Sequence, residues 1–297
     1  MSTVVVTNAT GLQGKTVAEE LKKNNYQVRA LTRDPSKVQL PGVEIVKGSF
    51  DDVDSLIKAF EGADGIYFKL PLLFDHALLI QYTKNFIAAA LQTKPSLVVF
   101  NSSIFVPEKP TGYVAFDVKL EAEQLLKKSG LPVIYLHPRI YLDNIAAPWS
   151  VPAIIEQGVI ASPVPTDQQV SWISVYDLAR YTVAAFNNPK QAGKTFEIGA
   201  QSVTGKEIAE TFSKILKKDL QYIYVSPDDF ENGLKPVFGD HSAKSISDIY
   251  RYLRDNEEDF NTDNASASVL TVETLSLNQW ISQVPWEQLH KQYSAIA

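Results

Sequence analysis

Short apolar runs alternate with longer stretches of near-3.6 periodicity through the first half of the chain, the pattern of right-handed βαβ crossovers that build a parallel sheet. Strands are predicted at Thr3–Thr7, Gln27–Thr32, Val43–Lys47, Gly65–Phe68, Leu97–Asn101 and Val133–Leu136. Helical spacing falls between them, at Leu12–Lys23, Asp52–Phe60, Asp75–Leu91 and Ala115–Lys128, with Asp52 placed to cap its helix. Beyond Arg139 the rhythm changes to segments broken by Pro148, Pro152, Pro163 and Pro165, and further helices are predicted at Val175–Phe186, Thr204–Leu216, Ala243–Arg254 and Thr271–Ser282. Asn261–Ser268 reads as a polar connection. The expected fold class is therefore α/β, a doubly wound parallel sheet of the Rossmann type with a smaller C-terminal α/β lobe. The expected division is a core over 1–140 and a substrate- or partner-binding lobe over 141–297, with segments around 170–200 returning to the core.

Composition narrows the function. The 297 residues are 45% hydrophobic, enough for a large core, and include no cysteine, which excludes disulfides, thiolate metal sites and a cysteine nucleophile. The four histidines, His76, His137, His241 and His290, lack ligand-like spacing, so no metal is expected. A net charge of −6 offers no basic face for direct nucleic-acid binding. Met1-Ser2-Thr3 leads straight into Val4-Val5-Val6 and no long apolar segment follows, so a cytoplasmic protein without membrane association is expected.

The chemistry begins at the end of the first strand. A strand, a tight glycine-containing turn and a helix present free backbone N–H groups and the positive end of a helix dipole to an anion, and Thr7-Asn8-Ala9-Thr10-Gly11-Leu12-Gln13-Gly14 has that context. It is read as the phosphate loop of a dinucleotide site. Asn8 replaces the first glycine of the usual pattern; asparagine tolerates left-handed geometry, but its side chain then stands near the pyrophosphate. At the end of the second strand, Thr32 and Arg33 are followed by Asp34 and Lys37, with no acid at the tip. Either Arg33 and Lys37 meet a 2′-phosphate, which favours NADPH over NADH, or both are solvated and Asp34 faces the ribose. The charge pattern favours the first.

These residues resemble the NmrA-like family of the atypical short-chain dehydrogenase/reductase superfamily. The resemblance is carried by Val6–Gly14, Leu31-Thr32-Arg33-Asp34-Pro35, Lys47-Gly48-Ser49-Phe50-Asp51-Asp52, Ala115-Phe116-Asp117-Val118-Lys119, Tyr141-Leu142-Asp143-Asn144 and Trp172–Ala179. It implies NADP as cofactor. Ser49 stands where the family usually has an aspartate near the adenine, which shifts adenine recognition to Phe50 and backbone groups. The family includes quinone reductase-like enzymes, isoflavone reductase-like relatives and dinucleotide-binding regulators with little or no catalysis.

Carbonyl reduction needs a proton donor, and short-chain reductases use a tyrosine four residues before a lysine on one helix face. Here Lys119 is preceded at that spacing by Ala115, which has no proton to give. Tyr113 is a substitute only if its loop folds inward; Ser103, closing the fifth strand, is a candidate to orient a ligand oxygen. Lys119 is expected at the nicotinamide ribose. Pro71-Leu72-Leu73-Phe74 either walls the nicotinamide side or is buried, and Tyr141, Asn144 and Trp149 either bind a flat ring or pack the lobe junction. Two functions follow: an NADPH-dependent reductase of quinones or similar flat carbonyl compounds, or a catalytically weak NADPH/NADP+ sensor that regulates a protein partner. An isomerase- or epimerase-like activity on the same scaffold is a third, weaker alternative.

Overall fold

A strand buried on both faces of a parallel sheet reads as an unbroken apolar run. Val4-Val5-Val6 and Leu97-Val98-Val99-Phe100 do so, and all seven side chains are buried in the computed structural model, which describes residues 2–294 apart from the side chain of Lys37. The chain runs β1 (Thr3–Val6), α1 (Leu12–Lys23), β2 (Gln27–Thr32), β3 (Glu44–Lys47), α2 (Val53–Phe60), β4 (Gly65–Lys69), α3 (His76–Thr93), β5 (Leu97–Asn101), α4 (Val114–Ser129) and β6 (Val133–Pro138). It continues with β7 (Ile140–Tyr141), β8 (Val159–Ser162), β9 (Val170–Ile173), α5 (Val175–Asn187), β10 (Thr195–Ile198) and β11 (Gln201–Val203). The remaining elements are α6 (Gly205–Leu216), β12 (Gln221–Tyr224), α7 (Pro227–Asp255), α8 (Ala265–Leu270), α9 (Leu277–Gln283) and α10 (Trp286–Ser294).

One compact unit comprises Met1–Pro138, Val175–Ile198 and Ala265–Val272. Its sheet has the order β10-β6-β5-β4-β1-β2-β3, with every neighbouring pair parallel. This is the doubly wound arrangement, and the strand order reverses between β1 and β4. Under α2 and α3 the core is aromatic: Phe68 stacks on Phe86 with centroids 3.8 Å apart, while Phe60 meets Phe86 edge-on. Carboxylates start two of these helices, Asp52 accepting from the Ser55 N–H and Asp75 from the Leu78 N–H.

The second unit comprises Arg139–Ser174, Gly199–Asn264 and the chain from Glu273. It holds a three-stranded sheet in the order β11-β9-β7 and a parallel pair, β12 with β8. Phe212, Trp280 and Trp286 pack edge-on into its core. Among the described residues no helix is long and apolar enough to cross a membrane.

Several elements differ from expectation, each for a local reason. β10 is a seventh strand of only four residues, too short to show a period. The helix expected from Ala243 begins sixteen residues earlier, because Ser226 caps it and Pro227 takes its first turn; Gly239, at φ 75°, kinks it midway. Asn261–Ser268 is not wholly a connection, since Ala265 starts α8. The helix expected from Thr271 starts at Leu277 instead: Thr271 has φ 55°, and Ser276 and Gln279 form a reciprocal capping box.

An ion cluster sits beneath the β6–β10 pairing, where Glu197 registers with His137. The His137 ring joins Glu123 at 2.6 Å and Glu197 at 3.0 Å, and Lys127 lies 2.6 Å from Glu123. Burial opposes the charge on His137, but the hydrogen bonds to the two carboxylates prevail and raise its pKa above 6.5. Burial likewise opposes the charge on Glu123, and His137 with Lys127 prevails to hold it below 4.5. The raised histidine contributes stability that is complete below its ordinary pKa and fades as pH rises through the raised one; the depressed glutamate contributes above its ordinary pKa and fades as pH falls. Both are present between about pH 4.5 and 6.5. Glu123→Gln should therefore destabilise by about 3–5 kcal/mol in that window and by less at pH 9. Thermal melts of the two proteins against pH check this; a gap that is constant across the range refutes the assignment.

Candidate functional site

The carboxyl ends of β1 and β4 lie side by side at the switch point, and the polar residues there are tied to one another. The Lys69 N–H donates to Thr7 Oγ1 at 3.0 Å, and the Thr7 hydroxyl and the Asn8 amide both donate to the Lys69 carbonyl, at 3.3 and 2.5 Å. Asn8 adopts φ 52°, the left-handed geometry its replacement of glycine requires. Its side chain is committed to β4. The Asn8 carbonyl accepts from the Gly11 N–H at 3.1 Å, closing the turn.

Gly14 is demanded by this turn. A Cβ there would lie 2.2 Å from the Asn8 carbonyl oxygen, whereas one on Gly11 would meet nothing nearer than 3.6 Å. Gly11 caps α1 without any side-chain hydrogen bond, and the first turn carries no acid. The first amides are thus left for an anion, with the helix dipole favouring it. Thr10, Gly11 and Leu12 line this end exposed, Leu12 at 60%. Gln13 faces inward: its carbonyl accepts from Asn101 Nδ2 at 3.0 Å and from Ser103 Oγ at 3.5 Å.

Ser103 is therefore brought to the α1 end. Its backbone has φ 67°, held by its N–H on Asn101 Oδ1 at 2.8 Å, and Asn101 Nδ2 also donates to the Tyr67 hydroxyl at 2.7 Å. Ser102 points away into the core, bonding the Leu136 carbonyl. Asn101 was passed over in the sequence as a strand terminus; a polar residue closing a wholly apolar strand was the available signal.

At the β2 end, Thr32 is buried and its hydroxyl accepts from the Asp34 N–H at 3.2 Å. The Asp34 carboxylate is engaged by the following turn, accepting from the Ser36 N–H at 3.1 Å and the Ser36 hydroxyl at 2.6 Å. Arg33 is exposed and makes no hydrogen bond or ion pair among the described residues. The side chain of Lys37 lies outside the described residues. Ser49 donates to Asp51 at 3.0 Å. Phe50 is core: at 8% exposure its ring lies against Phe68 and Tyr82, with centroids 5.8 and 5.7 Å away. Tyr82, on α3, was not singled out. Burial and the Asp51 carboxylate raise its pKa while the Arg33 charge opposes them, so its hydroxyl stands among both.

Beyond β4, Pro71 is half-buried, but Leu72 and Leu73 are 67% and 42% exposed; only Phe74 is buried, so these two leucines are not core. On α4, Ala115 is 5% exposed and Lys119 follows one turn later on the same face. Tyr113 lies outside the helix as its N-cap residue, in a loop that Asp117 pins through the N–H groups of Thr111 and Gly112 at 2.7 and 2.9 Å. Burial and the neighbouring Lys69 charge pull the Lys119 ammonium down to about 7, and burial pulls Lys69 down to about 8. Lys69 was not anticipated: it lies just past the strand expected at Gly65–Phe68, and the structure extends that strand to include it.

Tyr141, Asn144 and Trp149 belong to the second unit. Tyr141 is buried, Asn144 hydrogen-bonds the Tyr250 hydroxyl, and Trp149 is 52% exposed with its ring edge-on to Phe238 at 6.0 Å. No cluster of His, Asp or Glu among the described residues is arranged to hold a metal.

Comparison with known proteins gives one family: the model of the NmrA-like family matches residues 1–284. A (4-alkanoyl-5-oxo-2,5-dihydrofuran-3-yl)methyl phosphate reductase of Streptomyces griseus is 27% identical over 222 residues, covering 74% of this chain and 76% of the relative. Among solved structures, the triphenylmethane reductase of Citrobacter sp. complexed with NADP(H) has a TM-score of 0.80 at 23% identity, covering 95% of this chain and 99% of its own. An NADPH-dependent quinone oxidoreductase of Escherichia coli complexed with NADPH has a TM-score of 0.78 at 23% identity, covering 94% and 98%. These two share the fold.

The loop geometry separates the two glycines. Gly14→Ala should cost about 1–3 kcal/mol, because the added methyl displaces the Asn8 carbonyl, while Gly11→Ala should leave stability unchanged within about 0.5 kcal/mol. Denaturant melts of the three proteins test this, and equal stability for Gly14→Ala would show that the turn is not held as described.

Proposed function

The chain belongs to the NmrA-like family, and from that membership and the geometry at the strand ends we propose that it is an NADPH-dependent reductase of quinones or similar flat, conjugated carbonyl compounds. The observation that carries the cofactor assignment is the α1 terminus: an uncapped helix start without acids, reached through the open backbone of Gly11. That cradle fits a pyrophosphate. The Thr10, Leu12 and Gln13 amides would hold it, with Thr7, Asn8, Gly11 and Gly14 shaping the turn. Ser49 and Phe50 would border the adenine, the latter through its backbone, since its ring is buried. Preference for the 2′-phosphate rests on Arg33, exposed and uncommitted among the described residues, and on Asp34, whose carboxylate serves the next turn. Pro71 would wall the nicotinamide, and Lys119 would reach its ribose.

When bound, the nicotinamide supplies hydride. Ala115 offers no hydroxyl beside it, so ordinary ketones, which need a strong proton donor in the transition state, are poor substrates. A quinone accepts hydride readily, its developing oxyanion needing only local donors such as Ser103. Tyr141, Asn144 and Trp149, all in the second unit, are the proposed contacts for a flat ring, and Trp149 is half-exposed. The relatives' names include an NADPH-dependent quinone oxidoreductase, a triphenylmethane reductase and an NAD(P)H azoreductase, which agrees with this class of acceptor. The buried Ala115 also favours a second reading, a catalytically weak NADPH/NADP+ sensor that regulates a protein partner. NADPH binding without quinone-dependent oxidation would select it.

Two measurements test the proposal. Calorimetry should give tighter binding of NADPH than NADH, and Arg33→Ala should remove about 1.5–3 kcal/mol of the difference; equal affinities in the native protein would transfer control to Asp34. Spectrophotometry should show NADPH oxidation with a simple quinone and none with an unactivated ketone, while Ala115→Tyr should add ketone turnover by about 10²-fold or more if a ketone enters. Robust native ketone reduction that Tyr113→Phe eliminates would make Tyr113 the donor.

A further inference from the structure

The side-chain amide of Gln13 has a fixed orientation, and what fixes it is a backbone N–H two strands away. The Ser103 N–H can only donate, so the Asn101 atom it meets at 2.8 Å is the oxygen Oδ1, and Asn101 Nδ2 lies on the other side. That nitrogen carries two N–H bonds and uses both, on the Tyr67 hydroxyl at 2.7 Å and on Gln13 Oε1 at 3.0 Å. Gln13 therefore turns its oxygen to Asn101, and its Nε2, with two N–H bonds, is directed away from it. Nε2 makes no hydrogen bond among the described residues, and Gln13 is partly exposed. Asn101 and Tyr67 are buried, so the support for this orientation lies in the core. Ser103 Oγ stands 3.5 Å from the same Gln13 oxygen, the long limit of a hydrogen bond, so its hydroxyl can turn to a better acceptor at little cost. Gln13 is in the first turn of α1 and Ser103 follows β5, so the two side chains meet across the end of β4.

We propose that the Gln13 amide and the Ser103 hydroxyl form a neutral two-donor cradle for the carbonyl oxygen of the acceptor, and that Asn101 is the positioning residue that presents the donor end of Gln13 to it. The cradle rests on the reductase reading and supplies the donors which that reading needs. When hydride passes from the nicotinamide, which is oxidised, to the acceptor, which is reduced, the π pair of the carbonyl bond moves onto its oxygen. The two donors hydrogen-bond that oxygen, and water supplies the proton that completes the O–H bond. Neutral donors stabilise an anion less than charged ones do. They are sufficient where the developing charge is already spread over a conjugated ring, as in a quinone, and insufficient for the localised alkoxide of a simple ketone. The orientation of Gln13 decides the outcome: with the amide reversed, its oxygen would face the oxyanion and repel it.

Gln13→Met keeps the backbone amide and the length of the side chain while removing the donor. It should lower kcat with a simple quinone by about 10²-fold and leave the Kd for NADPH, read by calorimetry, within about threefold of native. Asn101→Asp still accepts from the Ser103 N–H but has no N–H to give, so the Gln13 amide turns its nitrogen to the carboxylate and its oxygen to the acceptor. Its kcat should fall by a similar factor, and the double variant should be no slower than Gln13→Met, because the same donor is lost once. Protonation of the introduced carboxyl returns a donor, so kcat of Asn101→Asp relative to native should recover as pH falls, which a general loss of structure would not produce. Gln13→Met carries the test if Asn101→Asp fails to fold, since position 13 is partly exposed. Unchanged kcat in Gln13→Met overturns the cradle and leaves the reductase reading in place. So does a Kd for NADPH raised by about tenfold or more at unchanged kcat, which would assign the amide to the cofactor. Absence of quinone-dependent NADPH oxidation in the native protein would overturn the reductase reading and the cradle with it.

Discussion

The site depends on the double use of one backbone segment, Lys69, by the end of β1. Thr7 both accepts from its N–H and donates to its carbonyl, and the Asn8 amide joins at 2.5 Å. Past the last register pair of β1 and β4, Val6 with Tyr67, the sheet ties Lys69 to β5 but not to β1, and something else must hold the ends of β1 and β4 together. The Thr7–Asn8–Lys69 clasp does so. It places the turn into α1 in a fixed relation to the end of β4, so the two sides of the proposed cofactor site share an anchor.

The clasp also explains why Asn8 is compatible with this loop. A glycine would reach φ 52° more cheaply, but it would leave the Lys69 carbonyl with one donor fewer. Asparagine meets the backbone requirement and the hydrogen-bond requirement together. Gly14 is bound by the opposite constraint: the Asn8 carbonyl occupies the space of its missing side chain. The two positions are complementary parts of one turn.

Much of the nucleotide-binding half was legible because its signals are local. Six apolar strand runs, the carboxylates of Asp52 and Asp75, and a glycine turn after the first strand each act through neighbours in sequence. The interactions that were missed are long-range. Asn101 and Gln13 are 88 positions apart, and Lys69 and Thr7 are 62. No periodicity encodes them. In the second half the strands are short, and α7 contains both Pro236 and a glycine with non-helical geometry, so its amphipathic pattern is interrupted and only its later part was recognised.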